Sequence, residues 1–132
     1  MGEWGAAETI FRQGVARVQN NTDWYHLRGS LTHNLGNTLL AQGRPDQARF
    51  FLEKAITIWK QANDNLEKSN TVGTLAEVFE FNEQWETAGN TYSHALTLLA
   101  EYPQHPWAIS LRKKFIEARE RCNHSAAAQR TP

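Results

Sequence analysis

The chain has 132 residues, 40% hydrophobic and 21% charged, with a formal net charge of zero. That length supports one domain around a single core, and the balance excludes global disorder. Neutral charge gives no general pull toward nucleic acid or membranes, and the single cysteine, Cys122, excludes an intrachain disulfide.

The opening MGEWGAAETIFRQG has neither a basic start nor an apolar core, so it does not read as a signal peptide. No run approaches the roughly 18 apolar residues of a membrane span. A cytoplasmic chain is expected. Along residues 3–19, Ala7, Phe11, Gly14 and Val18 lie on one helical stripe. From 23 to 42 a second stripe runs Leu27, Leu31, Leu35 and Leu39, ended by Gly43-Arg44-Pro45. Glycine permits the left-handed residue that closes a helix, and proline suits the first turn of the next. A third helix, 45–63, carries Ala48, Phe51 or Leu52, Ala55, Ile58 and Trp59.

Forty residues on, the design returns. Val72, Leu75, Val78 and Phe79 mark a helix over 65–81, and Ala88, Tyr92, Ala95 and Leu99 one over 84–101. Ala48, Ala55, Ala88 and Ala95 fall where two helices should approach closely, and a larger side chain there would force them apart. After Pro103 and Pro106, Trp107, Leu111, Phe115, Ala118 and Cys122 predict a closing helix over 106–122. The expectation is an all-α domain over 1–122. It comprises a half repeat (3–19), two hairpin repeats (23–63 and 65–101) and the closing helix. A disordered tail, 123–132, follows.

The shared letters resemble the tetratricopeptide repeat family, whose pattern places Leu-Gly, an aromatic or Leu, Ala, an aromatic or Leu, and Ala at fixed spacings. Here these are Leu35-Gly36, Leu39, Ala48, Leu52 and Ala55, then Leu75-Ala76, Phe79, Ala88, Tyr92 and Ala95. Ala76 replaces the usual Gly, and the closing Pro is absent at Lys60 and Ala100. The spacing of 40 exceeds the usual 34 or so. In that it is similar to the long repeats of kinesin light chains and of bacterial signalling and transcriptional regulators. The resemblance implies a right-handed superhelix of antiparallel helix pairs that binds a protein or peptide in a concave groove. It puts Ser30, His33, Asn37, Leu40 and Ala41 in that groove from the first repeat. From the second come Asn70, Gly73, Glu77, Glu80 and Phe81. Some chaperone-binding relatives hold a peptide's terminal carboxylate with Lys and Asn in these slots. This chain has His33 for the Lys and Thr74 for the second Asn, so such a clamp is not expected.

No chemistry of another kind stands out. His105, Cys122 and His124 do not form a metal-ligand spacing, and no nucleophile elbow or Gly-rich phosphate loop occurs. Neither catalysis nor a cofactor or metal is expected. An enzyme accessory domain and the sensor region of a larger regulator are the alternatives. The charges are segregated, with seven Lys or Arg against three acids over 10–60 and seven acids against Lys68 over 63–101. From 107 onward six basic residues oppose Glu117 and Glu120. With Glu77 and Glu80 in the groove, a neutral or basic partner segment is expected, with no direct nucleic-acid or membrane contact. The first helix lacks a preceding partner, so self-association to a homodimer through Ile10, Phe11 and Val18 is expected as well.

Overall fold

A computed structural model describes residues 2–130. Six α-helices follow one another: α1 (Gly2–Val18), α2 (Tyr25–Ala41), α3 (Pro45–Gln61), α4 (Asn65–Phe81), α5 (Trp85–Leu99) and α6 (Pro106–Arg130). A single 3₁₀ turn, Thr22–Trp24, precedes α2, with the Asn21 carboxamide accepting the Asp23 N–H. Among the described residues no strand forms. The chain divides into two compact units, Met1–Asp64 and Asn65–Pro132, where composition predicts one domain.

The recurrence is finer than the spacing of 40. Helices α2 to α5 begin at Tyr25, Pro45, Asn65 and Trp85, each twenty residues after the last. Three identical turns set that interval. Each has one residue in the left-handed region, Gly43 (φ 74°), Asn63 (φ 56°) and Glu83 (φ 58°). In each, the N–H of the following residue reaches back over the helix end. Arg44 donates to the Leu39 carbonyl, Asp64 to Trp59 and Gln84 to Phe79, all at 2.9 Å. This is the Schellman closure, which satisfies carbonyls the helix would otherwise leave orphaned. Gly43 adopts it without cost and Asn63 at little, whereas Glu83 is held there against a preference of about 1 kcal/mol or more.

In the first unit α2 packs on α1 and α3. Its core holds Leu35, Leu39, Ala48, Leu52, Ala55 and Trp59, all at 1% exposure or less. In the second, α5 packs on α4 and α6, burying Ala76, Val78, Ala88, Tyr92, Ala95, Leu99 and Phe115. The four expected small contacts, Ala48, Ala55, Ala88 and Ala95, are all completely buried. The leucine stripe of α2 is only half right: Leu35 and Leu39 are buried, Leu31 partly, and Leu27 is exposed. Steps of four advance about 400°, so each leucine drifts about 40° and the first leaves the core.

The last helix differs most from expectation. It does not stop at 122 but continues to Arg130, with Ala126 buried one turn beyond Cys122. The expected disordered tail is therefore helix through 130, and residues 131–132 lie outside the described residues. Alanine carries this extension: it is the strongest helix former and fits a tight contact, though it adds nothing to a pattern of large apolar residues.

Candidate functional site

In the second unit, Gly73, Glu77 and Glu80, three of the five residues expected to line a groove on α4, are engaged with α6. Gly73 is buried, and a Cβ there would come within 2.3 Å of the Phe115 ring. Glu77 lies 3.4 Å from the Lys114 ammonium. Glu80 accepts a short hydrogen bond from the Tyr92 hydroxyl. It is also gripped by Arg121, through Nε at 3.1 Å and Nη2 at 3.0 Å. One carboxylate thus joins α4, α5 and α6. Burial of Tyr92, then its hydrogen bond to Glu80, pushes that phenol far above its ordinary range. The Cys122 thiol beside it is pushed up to about 11, again by burial first and Glu80 second. Asn70 is half-buried, and Phe81 stands exposed at the end of α4.

On α2 the corresponding residues are more open. Ser30, His33 and Leu40 are half-buried, while Asn37 and Ala41 are exposed. Asn37 sits between the buried pairs Leu35-Gly36 and Thr38-Leu39. Its carboxamide engages no other described residue.

The first unit also holds a polar cluster absent from the sequence reading. Glu8 on α1 accepts from Arg12 Nε at 2.8 Å, Arg44 Nη1 at 2.7 Å and Gln42 Nε2 at 3.2 Å. Arg44 donates further to Gln42 and Gln47. Arg12, then Arg44, hold the Glu8 carboxyl down at about 2. The hollow beside this cluster, about 410 Å³, is lined by Trp4, Ala41, Gln42 and Arg44. Glu8 and Arg44 are 36 residues apart, and no local periodicity links them. A basic residue in a turn and an acid on a neighbouring helix were the only available signal.

The three residues expected to mediate self-association do not share a surface. Ile10 is 62% exposed, Phe11 is half-buried, and Val18 is buried inside the unit. An isolated exposed isoleucine is ordinary. Cys122, His105 and His124 are likewise separate in character. Cys122 is buried, and His105 accepts the Trp107 N–H at 3.2 Å, at the start of α6. Among the described residues no group of three or more His, Cys, Asp or Glu could hold a metal ion. No helix of the described residues is long and apolar enough to cross a membrane.

Four helices of 15 to 17 residues, α2 to α5, joined through short repeated turns, define an all-α helical-repeat fold. The tetratricopeptide repeat model matches residues 29–65, from within α2 through α3 to the first residue of α4. Comparison with curated proteins and with solved structures gives no match. Tetratricopeptide repeats serve as non-catalytic interaction modules that mediate protein–protein contacts.

Proposed function

We propose that the chain is a protein-binding module that receives a partner segment on the exposed face of α2, through Ser30, His33, Asn37 and Leu40. The observation that carries this reading is Asn37. Asparagine weakens a helix interior, and here it makes no intramolecular bond in return. A carboxamide in that setting suits a peptide backbone, which presents both donors and acceptors. On α4, Asn70 and Phe81 offer the same kind of contact, an amide beside an apolar anchor. Glu77 pairs with Lys114 only at the surface, where such pairs are weak. It can therefore still attract a cationic partner residue, which favours neutral or basic segments. Glu80 is withdrawn from that role by Tyr92 and Arg121.

Peptide-array binding by the whole chain tests this. Peptides whose retention depends on Asn37 should be neutral or basic, and Asn37→Ala should weaken them by roughly tenfold, as the loss of a good hydrogen bond would. A pattern that survives both Asn37→Ala and Leu40→Glu overturns the reading.

A further inference from the structure

A smaller cavity lies within the first unit, where α1, α2 and α3 meet. It measures about 60 Å³ and is lined by Val15, Val18, Gln19, Arg28, Thr32, Lys54 and Ile58. Two of these residues are cations and none is an acid. The Nε of Arg28 is shut off from solvent and has no hydrogen-bond acceptor. Nor does the rest of that guanidinium, or the Lys54 ammonium, pair with any carboxylate among the described residues. Lys54 rests over the rings of Phe50 and Phe51, at 5.5 and 6.0 Å. On α3, Glu53, next to Lys54 in the chain, pairs with Arg49 at 2.9 Å. The Thr32 hydroxyl donates to the Arg28 carbonyl at 2.7 Å, and its oxygen takes no bond from Nε. A buried guanidinium edge without an acceptor is costly, and that cost is recovered when an anion supplies one.

We propose that this cavity binds a carboxylate presented by a partner protein, as an Asp or Glu side chain or a chain terminus. Three features select a carboxylate among anions. The space is small, about 60 Å³, which suits a carboxylate on its methylene stem better than a bulkier anion. The walls from Val15, Val18 and Ile58 are apolar and match that stem. Arg28, half-buried with its Nε shut off from solvent, carries a planar fork, which pairs with the two oxygens of a carboxylate side by side. Lys54 and Gln19 are exposed and form the polar rim. The site agrees with the basic balance of residues 10–60. It lies apart from the residues proposed to take the partner segment on α2, and rests on that reading only for the source of the carboxylate.

Amide-resolved NMR titration of the whole chain tests it. The probes are acetate, acetyl-Ala-Glu-Ala-amide, the matching glutamine peptide and inorganic phosphate. The glutamate peptide and acetate should shift the amides of residues 15–19 and 28–32 saturably, and the glutamine peptide should not. Arg28→Gln should weaken the glutamate peptide by roughly tenfold or more, as expected for a charge-assisted bond. Arg28→Lys, which keeps charge but not the fork, should recover only part. An unchanged melting curve in each variant establishes that the fold is intact. Equal shifts with the glutamine peptide, tighter binding of phosphate, or indifference to Arg28→Gln overturns the proposal. Loss of partner binding in Asn37→Ala with these shifts retained, or the reverse, separates failure of one site from failure of the other.

Discussion

The two hairpins, α2/α3 and α4/α5, share a frame but fill it differently. In the first, Gly29 lies beneath Trp59, so close that a Cβ would sit 2.4 Å from the indole. Forty residues on, the same two positions hold Ser69 and Leu99, both buried. The large ring goes with the missing side chain, and the smaller leucine with a small one. A second exchange concerns polarity. Leu40 of the first hairpin corresponds to Glu80 of the second, and Leu52 to Tyr92. Where Tyr92 brings a hydroxyl into the interior, Glu80 supplies its acceptor. What the hairpins conserve is summed volume and satisfied polarity at paired positions, and single residues are free to change only with their partners.

The largest expected effect breaks that pairing. Trp59→Leu alone should cost about 2 kcal/mol or more through the cavity it leaves, and Gly29→Ser alone about 1–3 kcal/mol through overpacking. Together they recreate the second hairpin's pair, so the double variant should fall short of the summed loss by about 0.5–3 kcal/mol. Urea unfolding of all four proteins measures this. Strict additivity would mean that the two positions are not coupled.

A somewhat smaller effect is expected at the polar exchange. Glu80→Leu imitates the first hairpin at one position only, leaving the Tyr92 hydroxyl buried without an acceptor at a cost of about 1–3 kcal/mol. Adding Tyr92→Phe removes the orphaned group and should restore part of the loss. A double variant no more stable than Glu80→Leu would show that Arg121, not Tyr92, is the partner that matters.

The smallest effect compares the two carboxylates. Glu8 joins helices in the first unit as Glu80 does in the second, and its carboxyl is held near 2 against an ordinary 4.5. Its contribution is therefore complete above about pH 4.5 and is lost as pH falls toward 2. Thermal melts across that window should show a shallower decline for Glu8→Gln than for the parent chain. Matching slopes would place the Arg12 and Arg44 contacts outside the stability of the unit.

The legible parts of this fold were those written in local spacing. Ala48, Ala55, Ala88 and Ala95 stood out because small residues recurred at positions where helices cross, and Gly43 with Pro45 announced a boundary by backbone chemistry. Asn63 and Glu83 close the same kind of turn, but their residue types do not demand a left-handed backbone, so the interval of twenty stayed hidden. Long-range pairings were illegible for a different reason. Glu80 read as an open acid because Arg121, 41 residues later, gives no local sign of reaching it. The cavity at Arg28 depends on three helices at once, and no spacing along one of them describes it.

The constant interval between turns carries a consequence for how such a chain can vary. Each helix residue turns the chain by about 100°, so adding or removing one inside a helix reorients every later side chain of that helix. Substitutions can be absorbed pair by pair, as at Gly29 and Trp59, but a single-residue insertion into α3 would rotate Trp59 away from Gly29 while leaving the Ala48 end in place. The hairpin thus behaves like a text with a reading frame. Misspellings are tolerated where a matching change exists, whereas frameshifts are not, and length variation is confined to whole helical segments or to exposed ends.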